Sequence, residues 1–367
     1  MKDLEARIEW SRITEGADPM AYTLIEHLGP VDALEAIREP RQFDEPMRQQ
    51  VERWRHRLAH QEPFHLRALE KSRTCVIAPE DALWPGQLND LGSQAPLLLW
   101  VKGNPEVLAP QSVAIVGSRA ASSSGLRTAR DFAYEISEQA TVVSGGAFGI
   151  DAAAHNGALL AKKPTVIVSA GGVDRVYPRA HESLYAQTIR SGGAVVSESP
   201  LGAAPQRFRF LARNRIIAAL TRATLVVEAP IRSGALSTAR HAQNIGRPVG
   251  AVPGPIDAAY CRGCIDLLRN DATAIASVAH LRELLGPVEV QERIAPDFFA
   301  GAVNDGFDMR EQRAFDAVPL VRAQSAASIA ATAGMTLTET LAALGRLVLS
   351  GCVEERDGRW RRTKVKT

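Results

Sequence analysis

The sequence predicts an α/β protein: a Rossmann-like, doubly wound, mostly parallel sheet, flanked by a small N-terminal helical domain and a C-terminal winged-helix domain. Three observations carry that prediction. From residue 113 to about 285, short β-branched runs alternate with helix-compatible stretches. The runs V-A-I-V (113–116), T-V-I-V (165–168) and T-L-V-V (224–227) are apolar without alternation, as strands buried on both faces of a parallel sheet must be. Two of the strands end in glycine loops, G-S-R at 117–119 and S-G-G-A-F-G at 144–149, each leading into a helix.

Taken in order, residues 1–72 read as helical, with little β-branched sequence. Two amphipathic turns at 21–37 break at Gly29-Pro30, which admits either a helix–hairpin–helix unit that meets a DNA phosphate or an all-helical interaction module. Residues 75–103 carry Pro and Gly punctuation between short apolar runs and predict edge strands and turns. The sheet domain, 73–285, then places strands at 113–116, 141–144, 165–170, 194–197, 224–228 and 248–252. Its helices are predicted at about 124–139, 150–161, 180–191, 210–221 and 235–245. Residues 286–308 show no sustained period and read as a linker, and 309–367 as three short helices and a hairpin turning at Asp357-Gly358.

Composition bounds the function only loosely. At 367 residues, 46% hydrophobic and 23% charged, the chain is long enough for two or three domains of ordinary soluble type. No run of about 18 apolar residues predicts a membrane span, and the charged N-terminus M-K-D-L-E-A-R lacks an apolar signal core. Four scattered cysteines do not make a disulfide framework, so the expected location is the cytoplasm. A net charge of +2 leaves open a local basic site for nucleic acid.

In an open parallel sheet the ligand sits beyond the carboxyl ends of the strands. Those ends deliver Gly117-Ser118-Arg119, then Ser144-Gly145-Gly146 with Gly149, then Gly171-Gly172, then Ser233-Gly234. The block R-F-R-F-L-A-R-N-R at 207–215 adds Arg207, Arg209, Arg213 and Arg215. Glycine lets a phosphate approach without meeting a Cβ, and arginine grips it in a fixed fork. Several such loops on one edge fit a chain of phosphates better than a single one, the chemistry of sequence-tolerant single-strand binding. Phe208 and Phe210 read as core side chains in preference to base-stacking ones.

Enzyme signatures are weaker. The first loop does not match G-x-G-x-x-G, and no G-x-x-x-x-G-K-[ST] occurs, so no nucleotide cofactor is expected. Asp151 and His155, four apart, have a metal-binding spacing but no second pair, and Asp151 reads better as a partner of its helix dipole. Glu198 and Glu228 close strands and serve either as acid and base or as partners of the arginines. Cys261-x-x-Cys264 lacks the second half of a zinc site.

The blocks V-A-I-V-G-S-R, S-G-G-A-F-G-I-D-A-A-A-H, G-G-V-D-R-V-Y-P, S-E-S-P-L-G, F-L-A-R-N-R-I-I-A-A-L, V-V-E-A-P-I-R-S-G-A-L-S-T-A and G-R-P-V-G-A-V-P-G follow one another over 113–255. In that order they resemble the DNA-processing protein A (DprA/Smf) family. The resemblance implies a homodimeric, non-enzymatic protein that binds single-stranded DNA during natural transformation and helps load the RecA recombinase on it. It implies a DNA pocket formed by Gly117, Ser118 and Arg119, by Ser144, Gly145, Gly149 and Asp151, by Arg213, Asn214 and Arg215, and by Ser233 and Gly234. Gly146 and Phe148 stand where the family commonly has leucine and a polar residue, and Arg207 and Arg209 lie near its basic position before Phe-Pro. The alternative is a nucleotide-processing enzyme like the phosphoribohydrolases, whose P-G-G-x-G-T-x-x-E is absent. The third helix of the C-terminal domain, T-L-T-E-T-L-A-A-L-G-R-L-V-L-S, carries too few polar side chains to read bases and suggests protein docking.

Overall fold

The computed structural model describes residues 2–39, 43–108, 111–286, 311, 314–315, 317–319 and 323–363. The chain divides into two compact units, Met1–Glu289 and Val290–Thr367. The linker expected at 286–308 lies, but for residue 286, outside the described residues.

Five helices open the first unit: α1 (Asp3–Ile13), α2 (Pro19–Leu28), α3 (Pro30–Arg38), α4 (Glu45–His60) and α5 (Arg67–Ser72). Asp18 sets the start of α2 by accepting from the amides of Met20 and Ala21, which satisfies two donors that the helix leaves open. The same carboxylate accepts from Trp54 Nε1 at 3.2 Å, and Trp54 stands edge-on to Trp10 with ring centroids 5.2 Å apart. Gly29, at φ +79°, ends α2 and starts α3. Its amide donates to Ile25 O at 2.8 Å, so in this turn the glycine N–H is already used.

The sheet has nine strands: β1 (Thr74–Ile77), β2 (Leu99–Gly103), β3 (Ser112–Val116), β4 (Thr141–Ser144), β5 (Thr165–Val168), β6 (Ala194–Ser197), β7 (Ala223–Val226), β8 (Val249–Ala251) and β9 (Thr273–Ala274). Their order is β1-β2-β6-β5-β4-β3-β7-β8-β9. From β6 to β9 every pairing is parallel, while β2 joins β6 antiparallel and β1 closes that edge. The connector 75–103 thus supplies the edge strands that its punctuation predicts, extending the sheet by two. The order runs outward from β3 in both directions, so β3 and β7 flank the point where the winding reverses.

Helices α6 (Ser123–Ile136), α7 (Ile150–Leu160) and α12 (Val278–Leu285) pack against one face with Val113, Ile115, Val142 and Leu225. Helices α9 (Arg207–Leu220) and α10 (Gly234–Asn244) cover the other with Ala114, Val116, Val143 and Val226. Successive strand residues point to opposite faces, which is why apolar runs without alternation are needed here. Helix α8 (Glu182–Arg190) packs by β5 and β6, and its Leu184 and Tyr185 share a cluster with Ile8 of α1. Helix α11 (Arg262–Arg269) follows β8.

In the second unit, a helix over Ala326–Ala333 and another over Leu337–Leu349 precede the hairpin Val353–Arg356 and Arg359–Arg362. Strand Gln324–Ser325 adds a third strand beside Arg359–Arg362. Asp357 and Gly358 both have positive φ, the backbone that a two-residue hairpin turn requires. The first of the three helices expected here, 311–318, falls partly outside the described residues.

Candidate nucleic-acid interface

The loops after β3 and β7 meet in a trough of about 1060 Å³. It lies at the carboxyl ends of the strands where the winding reverses, the usual ligand position in such sheets. Gly117 lets the first loop pass close to its neighbours: a Cβ there would lie 2.5 Å from Ile150 Cγ1 and 2.8 Å from Glu228 O. Ser118 N donates to Glu228 O at 2.6 Å, and Ile150 N donates to Ser118 O at 3.2 Å. Gly149, at φ +78°, rests on Ser118 O, which a Cβ would approach to 2.1 Å. The loops of β3, β4 and β7 are therefore fastened to one another by backbone bonds, and small residues are needed where they touch.

Of the sequence-predicted residues, the structure gathers Gly117, Ser118, Arg119, Asp151, Arg207, Arg213, Asn214, Ser233 and Gly234 around this trough. Arg119 is exposed, and its guanidinium carbon stands 5.2 Å above the Phe210 ring centroid. Arg207 at the head of α9 is exposed as well. Ser233 caps α10 by accepting from Ala235 N, and Asn214 Nδ2 donates to Gly234 O at 3.1 Å. That bond ties the arginine-bearing helix to the glycine loop.

Ser144, Gly145, Gly146, Gly149, Arg209 and Arg215 do not line the trough, and their surroundings assign them other work. Ser144 is fully buried and donates to Ile115 O at 2.7 Å, bonding β4 to β3. Gly145 makes room for the Arg213 guanidinium, which a Cβ would meet at 2.6 Å, and Gly146 O faces His181 Nδ1 at 2.9 Å. Arg215, with 1% exposure, donates both terminal nitrogens to Glu198 at 2.8 and 2.7 Å. Gly16, after α1, covers that carboxylate; a Cβ would fall 2.1 Å from its Oε1. Arg209 is bound by Glu15 at 2.9 and 3.1 Å. Both guanidinium groups thus already direct two donors at a carboxylate, the same fork that would grip a phosphate.

Arg213 belongs to the wall itself. It is buried, and Nη1 donates to Gly145 O at 2.8 Å and also to Val168 O. Burial raises the Asp151 pKa above the ordinary carboxylate value, with Arg213 acting in the opposite sense, and burial lowers the Arg213 pKa in turn. Asp151 stands in the first turn of α7, and its Oδ2 accepts from Ala147 N, ahead of the helix, at 3.3 Å. His155 is fully buried, its pKa lowered to about 3 by desolvation. Thr165 Oγ1 gives its proton to Val142 O and so accepts from His155 Nδ1 at 2.8 Å. Glu198 holds Arg215, as one of the two sequence readings has it, whereas Glu228 pairs with no arginine among the described residues and accepts from Ser122 instead.

Three features escape a reading of the sequence. Phe210 is a trough side chain rather than a core one: Arg119 and Arg213 stand over its ring and Tyr177 lies 5.4 Å away. Phe208 is also exposed, since the first turns of α9 project past the sheet edge while residues 213–220 are buried. Arg232 and Arg240 join the lining from the loop and the second turn of α10. Among the described residues, Arg119, Arg207, Arg232 and Arg240 have no carboxylate partner, so four unneutralised guanidinium groups line the trough.

The family model of DNA recombination-mediator protein A matches residues 75–286. A DprA protein of Mycobacterium tuberculosis is 36% identical over 364 residues, covering 96% of this chain and 92% of that one. DNA processing protein DprA of Streptococcus pneumoniae is 40% identical over 197 residues, covering 54% of this chain and 69% of that one. Its X-ray structure aligns with a TM-score of 0.62 at 29% identity, over 77% of this chain and 97% of that one. DNA processing protein A from Helicobacter pylori, described for its single-stranded DNA binding mode, aligns with a TM-score of 0.51 at 29% identity, over 57% of this chain and 95% of that one.

Proposed function

Because this chain belongs to the DNA recombination-mediator protein A family, we propose that its trough binds single-stranded DNA without reading sequence. The observation that carries the proposal is Arg119: exposed, unpaired among the described residues, and laid on Phe210 at the point where the sheet reverses. Phosphates would meet Arg119, Arg207, Arg232 and Arg240, together with the loop at Gly117–Ser118 and the head of α10. Bases would meet Phe210 and Tyr177, whose rings accept any base by stacking.

In this reading the chain acts in the cytoplasm as a homodimeric mediator that shields incoming single strands during natural transformation and passes them to the RecA recombinase. No described helix is long and apolar enough to cross a membrane. The C-terminal unit serves as a winged-helix-like docking module, since Leu337, Leu341 and Leu349 of its long helix are exposed and Arg346 is engaged by Glu311. The nucleotide-processing alternative would need Glu228 as an acid or base, and Glu228 is absent from the trough wall.

Fluorescence anisotropy with a labelled single strand and its duplex, at two salt concentrations, tests the proposal. The single strand should bind more tightly, its affinity falling with salt as counterions are released. Arg119→Ala should weaken it by about tenfold or more, as loss of a charged hydrogen bond does. Unchanged binding by Arg119→Ala would reject the trough as the site.

A further inference from the structure

Two helices start at the reversal point of the sheet, α6 after β3 and α10 after the β7 loop. In dinucleotide-binding sheets the head of the first such helix receives the pyrophosphate. Here that head is filled from inside the chain. Glu228, just past β7 and 5% exposed, turns both carboxylate oxygens on Ser122. Oε2 accepts from Ser122 N at 2.8 Å and Oε1 from Ser122 Oγ at 2.5 Å. Ser122 Oγ accepts in turn from Gly125 N at 3.0 Å. Gly125 has no room for a Cβ, which would stand 2.3 Å from the Glu228 carboxyl carbon. The N-cap residue of α6 thus meets the carboxylate with its backbone amide and its hydroxyl, as it would a bound anion. Among the described residues no arginine or lysine forms an ion pair with Glu228, so Ser122 and the helix head are what offset its charge.

We infer that Glu228 is an internal substitute for phosphate that determines which anions the reversal point accepts. It closes the head of α6 to nucleotide and nucleic-acid phosphates alike and leaves the Arg119 side of the crevice as the open seat. This explains why a Rossmann-like sheet with a glycine loop in the first position needs no dinucleotide spacing: the seat that G-x-G-x-x-G would build is already taken. The exclusion of phosphate from α6 stands on the geometry alone; its value for directing a DNA strand rests on the function proposed above.

The test uses the full chain, inorganic pyrophosphate as probe, and hydrogen exchange read on peptides covering residues 120–130. Glu228→Ala should bind pyrophosphate about tenfold more tightly than the unmodified protein, the strength of an anion at an open helix head. That binding should slow amide exchange at 122–126, and the unmodified protein should show no pyrophosphate protection there. If Glu228→Ala fails to fold, Glu228→Gln keeps the side-chain volume and one acceptor, removes the charge, and should show the same gain in smaller degree. No gain in a folded variant, a gain without protection at 122–126, or equal protection in the unmodified protein would overturn the inference. Single-strand binding by the unmodified protein is measured separately, and its absence would reject the proposed function while leaving the exchange comparison intact.

Discussion

Arg119 and Arg215 are the same side chain in opposite circumstances. Arg119 lies open at a strand end with an aromatic ring beneath it and, among the described residues, no ion-pair partner. Arg215 is sealed in the interior with both terminal nitrogens given to Glu198. Helix α9 shows the whole range within nine residues: Arg207 exposed on the trough, Arg209 tied to Glu15, Arg213 built into the wall and Arg215 buried. The contrast teaches that an arginine block is not a unit of function. Its members divide according to what the fold brings to each: a carboxylate to Arg209 and Arg215, backbone carbonyls to Arg213, and open trough to Arg207.

The sharpest way to break this comparison is Arg215→Met. Removing one partner of a buried pair leaves the other charge unpaired, at a cost of about 3–5 kcal/mol, to be read by chemical denaturation. The fraction that stays folded should keep its single-strand affinity. A variant of normal stability that had lost DNA binding would return Arg215 to the contacting group.

Next in size is the mirror experiment. Arg119→Ala should lower single-strand affinity by about ten- to a hundredfold, or about 1.5–3 kcal/mol, with its unfolding midpoint preserved. The slope of log affinity against log salt should shrink by about 0.7 for each phosphate that the variant no longer neutralises. A weaker affinity with an unchanged slope would mean that Arg119 positions Phe210 without meeting phosphate.

His155 offers a third circumstance, a buried base with no carboxylate partner among the described residues. Its folded pKa of about 3 lies below the ordinary 6.5, so the unfolded chain takes up a proton in a range where the folded one does not. The contribution of this group to stability is therefore fully present above pH 6.5 and is lost as pH drops toward 3. His155→Asn should flatten that decline between pH 6.5 and 4 in thermal unfolding. A parallel decline in both proteins would show that other groups govern it.

The smallest effect is expected at Glu15→Gln, which frees Arg209 from a partly exposed pair. Stability should change by less than about 1 kcal/mol, and single-strand affinity should rise slightly. A fall in affinity would mean that the tie to Glu15 is what presents the end of α9 to DNA.

The parallel sheet is legible because burial on both faces forces uninterrupted apolar runs, and all six predicted strands fall within two residues of their observed ends. Helices α11 and α12 and strand β9 go unread, since the sequence after β8 lacks a run long enough to stand out. The trough is legible to the extent that strand ends determine it: Gly117, Ser118, Arg119, Ser233 and Gly234 follow from topology. What decides between Arg207, Arg209 and Arg215 is a partner far away in sequence, 194 residues in the case of Glu15, and no local pattern records it. Phe210 misleads for a related reason. An aromatic near the start of an apolar helix reads as core, but α9 begins before the sheet that covers it.

The fit of Gly16 over Glu198 gives the N-terminal helices an electrical role. A residue of the turn after α1 lies over one side of a charge pair whose side chains are 1% and 12% exposed. Trimmed away, the N-terminal helices would turn the Arg215–Glu198 contact into a wet pair of the kind that contributes about 0–1 kcal/mol. A turn 182 residues before Glu198 in the chain therefore bears on the pair that holds α9.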